Sequence, residues 1–587
     1  MTTASRSGPG RPRRRQVGRL GRLGILVSWT GWWWALAGVA VARPPTERRF
    51  ADRPVAWEEH DDGDLPRAPE ANRLQMLQLA HGFRDSVVNE ADRILAFEGD
   101  LPAEDVNALD EVPCSTWYCA RHHRRPMTIA ELTEGPPVIA PRLPLTILKG
   151  KDMGSASGFQ VEDAAGRRYM LKFDIAGHLG LANSGELIGS RVFHAAGYNV
   201  PGAVSVDLRD EDLRIGPRAT ALIFRVQKRP ITDASLKETL GRVARLSNGL
   251  VRAVAVPWIA GKILGGFDML GVRPDDANDR IRHERRRSLR ASWVLFAWLS
   301  VLDPSSINTI DSYVEEGGRH FVRHYFFDFG CSFGSATDYV EGVQQDGEYV
   351  VEVGRTLASI FTLGLYRRPF QDDAHRAEWT RLRAEHPALG AFPAESFDPE
   401  EFRTNIRGPA FMRMTARDAY WGAKLVTAFT DGEIGALVAT ARLPAADAEY
   451  LARALRVRRD IIGRRYLRAV TAIEDPQMSD DGTALCFEDR AIAGHHASPA
   501  EVVYQVHVAD GEGRELAAFE RDPAGPRTCL PFGGEAPGTG YRVVAVTARV
   551  AGGAGRGGVR LAKTARVHLR WRPAAGRFAV VGLERDE

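Results

Sequence analysis

Apolar positions along this chain fall into four successive regimes. Residues 24–42 form one unbroken apolar run. Residues 43–140 are rich in proline and charge and carry little period; only 72–96, where Leu74, Leu77, Leu79 and Phe83 recur, predicts a few helical turns. From about residue 141 the pattern reads as short strands, a helix, more strands and then long helices, continuing to about 474. The last hundred residues alternate apolar and polar again in Val502–Val508, Tyr541–Val550 and Val559–Leu569, separated by turn signals at Asp510-Gly511 and Gly552-Gly553. That spacing predicts a small β-sandwich. The expected chain is α+β and divides into a leader (1–42), an extended, partly helical lead-in that packs on the next domain (43–140), a main domain (141–475) and the β-sandwich (476–587).

Charge sharpens the first regime. The chain has 587 residues and a net charge of +3, yet residues 1–23 hold seven arginines and no acid. Without them the rest carries 71 basic against 75 acidic side chains. A nucleic-acid partner is therefore not expected, because its basic charge belongs on the folded body. The apolar run of nineteen residues reaches about 28 Å as a helix, enough to span a bilayer core. Ala40-Val41-Ala42 offers a cleavage site, so a cleaved signal peptide and an uncleaved membrane anchor both fit. Either way the body is expected outside the cytoplasm, periplasmic, extracellular or membrane-anchored.

Five cysteines bear on that address. Cys114 with Cys119, and Cys486 with Cys529, are candidate disulfides in an exported body, leaving Cys331 over. The C-x4-C spacing at 114–119 is wider than most zinc knuckles and has no second pair, so zinc is the weaker reading.

Four segments carry candidate chemistry. In 148–159, Gly150, Gly154 and Gly158 let backbone amides approach an anion closely. Next, Lys172 sits in the β-prone run Tyr169–Phe173, where a buried ammonium needs a partner; Glu186 opens a helical stretch to Ala196, closed by Gly197. The third segment, after a helix bearing Leu289, Trp293, Phe296 and Leu299 on one face, holds Asp303 and Asn308 in D-x4-N spacing. In the fourth, the apolar strand His324–Phe327 ends in Asp328-Phe329-Gly330. Each segment alone has an ordinary structural explanation: a hairpin, a strand-edge lysine, an Asp-Pro turn, a chance tripeptide. Their joint order makes coincidence a poor explanation.

On these residues, over roughly 145–475, the chain resembles the protein-kinase-like superfamily, especially its atypical bacterial HipA-like branch, and also the secretory-pathway kinases of similar fold. The resemblance implies two lobes, a small β-rich one and a larger helical one, with ATP and Mg²⁺ between them. It places Lys172 on the phosphate-contacting lysine, with Glu186 as its helix partner and the glycines 150, 154 and 158 at the nucleotide. Asp303 falls on the catalytic aspartate, and Asn308 and Asp328 on the metal ligands. The pattern departs from the family in three places. Val301-Leu302 replaces the usual His-Arg, the glycine loop is irregular, and no A-P-E follows.

Other clusters read more plainly. Arg280, Arg282, Arg285, Arg286, Arg287 and Arg290 are expected on a solvated helix face paired with acids. Asp275, Asp276 and Asp279 are expected in a polar loop instead of a metal site. His283-Glu284 lacks the second histidine of a zinc protease. The leading expectation is an exported phosphotransferase using nucleotide and an unknown acceptor, with the membrane as a further partner if the leader is uncleaved. The alternative is an exported pseudokinase that acts as a scaffold through its β-sandwich, since ATP is scarce outside the cytoplasm.

Overall fold

Six consecutive buried residues in Val251–Val256 mark a strand covered on both faces, and the largest sheet is built around such runs. In a computed structural model of the chain, the described residues are 49–51, 59–72, 84–88, 100–150, 157–223, 227–335, 353–368, 371–404, 406–531, 540–551 and 559–587. The leader, Gly154 and the Gly552–Gly558 loop lie outside them, as does most of 72–96, of which only the π-helical stretch Arg84–Val88 is described. Residues 49–587 form one compact unit. The architecture is mixed α+β. Among the described residues, no helix is long and apolar enough to cross a membrane.

The first α-helix among the described residues is α1 (Ile129–Glu134), which opens on a Thr128/Glu131 capping box. Strands β1 (Leu145–Gly150), β2 (Gly158–Glu162) and β3 (Arg168–Phe173) follow, then helix α2 (Asn183–Ala196). After it come β4 (Val204–Leu208), β5 (Leu213–Ile223), β6 (Gln227–Pro230), helix α3 (Asp233–Leu240) and β7 (Val251–Pro257). These seven strands make one sheet in the order β4-β7-β3-β2-β1-β5-β6, antiparallel except where β1 meets β5. Alternate residues Leu145, Ile147, Phe159, Val161, Tyr169, Leu171 and Phe173 pack on one side with Leu236 and Leu240 of α3. Leu187 of α2 packs on Met170, Val254 and Val256.

A second sheet, of three strands, combines β8 (Lys262–Gly265), β9 (Thr309–Glu316) and β10 (Arg319–Phe326), with helix α4 (Arg287–Leu299) between its first two strands in the chain. All thirteen residues of α4 are buried. Around it lie α5 (Val353–Phe361), α6 (Asp373–Glu385), α7 (Pro409–Met412), α8 (Ala416–Thr427), α9 (Asp431–Ala439) and α10 (Ala445–Ile462). The C-terminal strands β11 (Ile473–Met478), β12 (Ala484–Asp489), β13 (Val502–Asp510), β14 (Glu515–Arg521), β15 (Arg527–Pro531), β16 (Tyr541–Ala551), β17 (Val559–Leu561), β18 (Ala565–Arg572) and β19 (Arg577–Arg585) make a three-stranded and a six-stranded sheet. The apolar core of α4 continues without a break into these sheets, through Ile473, Leu485 and Val544.

Cys114 is bonded to Cys119, and Cys486 to Cys529 across the neighbouring strands β12 and β15. This excludes the zinc reading, because disulfide sulfurs are not thiolate ligands. Cys331 takes part in neither bridge.

The arginine cluster departs from expectation. Arg280 and Arg282 are exposed, but Arg286, Arg287 and Arg290 are fully buried. Arg286 makes a two-pronged pair with Glu59 at 2.8 and 2.9 Å. Arg287 bonds Asp110 at 2.7 Å and Asp418 at 3.1 Å, and Arg290 reaches Asp418 at 3.2 Å. Burial of a charge is tolerated where partners satisfy it, and those partners lie far off in sequence. Asp275, Asp276 and Asp279 stay in a polar loop; Asp279 accepts from the Arg273 amide at 2.6 Å and pairs with His283 Nε2 at 2.6 Å.

Candidate functional site

Lys172 sits near the end of β3, directly opposite Gly158 of β2 in the antiparallel register. Gly150 ends β1, packed so closely on β5 that an added Cβ would stand 2.9 Å from that of Ala221. Residues 151–156, between the two glycines, lie outside the described residues. Two residues after the lysine, the buried Asp174 carboxylate accepts from the amides of Gly180 (2.7 Å), Ala182 (2.8 Å) and Asn183 (2.9 Å). These are open donors at the start of α2, whose own N-cap residue, Ala182, has no capping side chain. Burial raises the Asp174 pKa, and the three amide bonds work against that rise. The same short segment therefore sets both the lysine and the helix that carries Glu186.

The ammonium of Lys172 lies 2.7 Å from Glu186 Oε2 and 2.8 Å from Asp328 Oδ1. Lys172 and Glu186 are both buried, while the Asp328 side chain is partly open. Burial alone would lower the lysine's pKa; the Asp328 and Glu186 charges more than offset it, and the pKa rises.

Asp303 follows α4 on a loop held from behind. The Arg458 guanidinium is wedged between the rings of Phe392 and Phe397 and donates to Ala297 O (2.7 Å) and Ser300 Oγ (2.8 Å). The loop is fastened to the segment around Asp328 by amide bonds from Leu302 to Cys331 O (2.9 Å) and from Phe327 to Asn308 O (3.2 Å). Asn308 Nδ2 donates to Asp303 Oδ2 at 2.9 Å, and Ser305 Oγ to Oδ1 at 3.0 Å. Burial, reinforced by the Asp328 charge, pushes the Asp303 pKa up to about 6, against the pull of the Ser305 and Asn308 bonds.

Phe329 is seated in the face of α2. A Cβ on Gly185 would meet Phe329 O at 2.5 Å, and one on Gly189 would meet the Phe329 Cβ at 2.6 Å. Phe193 stacks obliquely on the same ring at 4.8 Å. Of the residues singled out in the sequence, Lys172, Glu186 and Asp328 are in direct contact, Asp303 and Asn308 form a second bonded pair, and Gly150 and Gly158 flank the first group. The sequence pattern does not single out Asp174, Gly185, Gly189 or Arg458. The i, i+4 glycines inside a helical pattern are the readable signal for the second and third.

No protein-family model matches this chain, and no curated protein sequence does. Solved structures with some likeness include the crystal structure of the Golgi casein kinase, at 9% identity and a TM-score of 0.26, over 70% of this chain and 95% of that one. A second, the Golgi casein kinase with Mn/ADP bound, has 10% identity and a TM-score of 0.24, over 71% and 93%. Similarity at this level assigns neither fold family nor site.

Among the described residues, no group of three or more His, Cys, Asp or Glu side chains is arranged to hold a metal. What the site does offer is the partly open Asp328 carboxylate and the Asn308 amide oxygen, whose nitrogen is already committed to Asp303. Hard oxygen donors few in number suit Mg²⁺, which keeps several waters and takes the rest of its shell from substrate phosphates.

Proposed function

We propose that this protein is a phosphotransferase of the atypical kinase-like type, two-lobed, using ATP and Mg²⁺ and acting outside the cytoplasm on an acceptor hydroxyl. The observation that carries this reading is the single ammonium of Lys172 bonded to both Glu186 and Asp328, next to the Asp303–Asn308 pair. In the chain's resemblances, HipA-like and secretory, those five positions hold the same roles. ATP with Mg²⁺ supplies a transferable phosphoryl group and charge neutralisation on its oxygens. Lys172 presents a fixed positive charge to phosphate oxygens, and Glu186 keeps it from swinging away. Gly150 and Gly158, with Gly154 outside the described residues, are the proposed glycines that let backbone amides approach the phosphates. Asn308 and Asp328 are the proposed metal ligands. Asp303, with a pKa near 6, is ionised at neutral pH and accepts the proton of the acceptor hydroxyl. The membrane is a further partner if residues 24–42 remain attached.

The second reading, a pseudokinase scaffold working through a β-sandwich at 476–587, draws on the same bond. Lys172 already bonds Asp328, so that carboxylate, a proposed metal ligand, has a partner without any ligand bound.

The test is a Mg·ATP thermal-shift and transfer assay on the full chain with Asp303→Ala and Asp328→Ala. A phosphotransferase gives a Mg-dependent rise in Tm that Asp303→Ala retains and Asp328→Ala loses, and transfer that both lose. Transfer that survives in Asp303→Ala refutes the assignment. Absence of any Mg·ATP shift in the wild type leaves the scaffold reading.

A further inference from the structure

A hollow of about 340 Å³ lies where the helical core meets the C-terminal strands. Its lining comes from distant stretches of chain: Trp293 of α4, residues 399–419 as far as α8, the π-helical turn Gly463–Leu467, and Arg560 of β17. One wall is aromatic and closed. Trp293, Phe402 and Tyr466 are 4%, 5% and 6% exposed.

The opposite wall is basic. Arg403, Arg407, Arg465 and Arg560 line the hollow against one carboxylate, Glu400. Glu400 pairs with Arg465; Glu401, just outside the hollow, is shared by Arg403 at 3.7 Å and by Arg355. Arg407 lies over the Trp293 ring at 5.9 Å and donates to Phe411 O at 3.5 Å. Arg560 makes no side-chain hydrogen bond or ion pair among the described residues. Glu400 and Glu401 therefore serve a larger number of arginines, and positive charge is in excess. Burial, with the charges of Arg465 and Arg468, lowers the Arg560 pKa against the pull of Glu400, the direction that crowded cations produce.

A second observation points into the same hollow. Tyr466 lines it, yet its hydroxyl has no hydrogen-bond partner among the described residues. Buried hydroxyls are ordinarily bonded, and an acceptor held in the hollow would bond this one.

Charge and shape select the ligand. Guanidinium groups bind phosphate and carboxylate alike through paired N–H donors. A phosphate monoester brings about 1.5–2 negative charges and three acceptor oxygens, enough for more than one arginine and the tyrosine hydroxyl together. A carboxylate brings one charge and two oxygens. The aromatic wall suits a flat or apolar body behind the phosphate. The volume sits near the lower end of small-molecule sites, roughly 300–1,000 Å³.

We infer that this hollow binds a small phosphate monoester with a flat or apolar body, held by Arg407, Arg465, Arg560 and Tyr466. Its lining includes none of the residues of the Lys172 site, and the inference stands independently of the phosphotransferase reading.

The test is calorimetric titration of the full chain with phenyl phosphate, which should bind saturably at one site per chain. Arg560→Gln and Tyr466→Phe should each weaken binding about tenfold, as loss of a hydrogen bond to a charged group does. Both should melt as the wild type does, because Arg560 lies at the surface and phenylalanine keeps the buried ring. Benzoate, with the same ring and a single charge, should bind several-fold more weakly. Absence of saturable binding overturns the inference. Binding that is unchanged in both variants places the ligand elsewhere, the Lys172 site included, and overturns it as well. Benzoate binding as tightly as phenyl phosphate overturns the phosphate assignment. A phosphotyrosine peptide that binds more tightly than phenyl phosphate assigns the hollow to a modified protein and overturns the small-molecule assignment.

Discussion

Gly189 and Phe329 share one space: a Cβ on the glycine would stand 2.6 Å from the Cβ of the phenylalanine. The helix that carries Glu186 is notched to receive the residue after Asp328, so lysine partner and proposed metal ligand are packed against one another through Phe329. Gly189→Ala gains about 1 kcal/mol of helix propensity yet overpacks a buried ring, which costs roughly 1–3 kcal/mol. The expected net result is a destabilised protein with lower transfer activity. Urea denaturation of Gly189→Ala, Phe329→Ala and the double variant should return a coupling of about 1 kcal/mol or more. Additive effects would show that the two residues do not sense each other.

Removing Lys172 strands the buried Glu186 carboxylate. Lys172→Met should lose roughly 3–5 kcal/mol at pH 7, and Lys172→Met/Glu186→Leu should recover most of it, both read from denaturant midpoints. Neither should show a Mg·ATP shift. A Lys172→Met protein as stable as the wild type would mean that Glu186 finds another donor.

Asp303 makes stability and activity run in opposite directions with pH. Its folded pKa, about 6, lies above its ordinary 3.8, so the folded state holds the proton more tightly. Stability from this group is full below pH 3.8 and is lost as pH rises to about 6. Discounted for the partial exposure of the side chain, the effect is roughly 1–2 kcal/mol. Asp303→Asn should therefore melt higher than the wild type at about pH 7.5 and match it near pH 4. The rate of transfer, which needs the carboxylate, should rise through an apparent pKa near 6. A flat profile between about pH 5 and 7 would remove Asp303 from the proton path.

The two disulfides should differ in worth. Cys486–Cys529 closes 43 residues and Cys114–Cys119 only five. Loop-closure entropy gives about 4 kcal/mol for the first and about 2 for the second. Paired Cys→Ser variants, compared by denaturant unfolding, should rank in that order.

Much of the site is legible in the sequence because its signals are local. Lys172 in an apolar strand, a helix closed by Gly197, and Asp328 at the end of an apolar run all declare themselves within a few residues. The helix begins at Asn183, three residues before Glu186, because its cap is Asp174, supplied from the end of β3. The buried arginines defeat such a reading for the opposite reason. Nothing near Arg287 in sequence reveals that Asp110 and Asp418 will enclose it; a cluster of charge reads as solvated until its distant partners are known. Chemistry fixed by neighbours is legible in one sequence, and chemistry fixed by closure of the chain is not.

The Asp110 carboxylate is shared by Arg287, Arg417 and Arg585. Arg585 also reaches Glu474, which holds Lys424, which in turn holds Glu111. This buried circuit joins residues as far as 475 positions apart. It cannot be completed by a partial chain: until β19 arrives, Asp110 lacks one of its three cations and Glu474 lacks Arg585. Pairings of such long sequence separation form late and slowly. Strand β19 thus acts as the latch on a helix laid down some three hundred residues earlier, and until it docks the chain is more open to proteases and to chaperones.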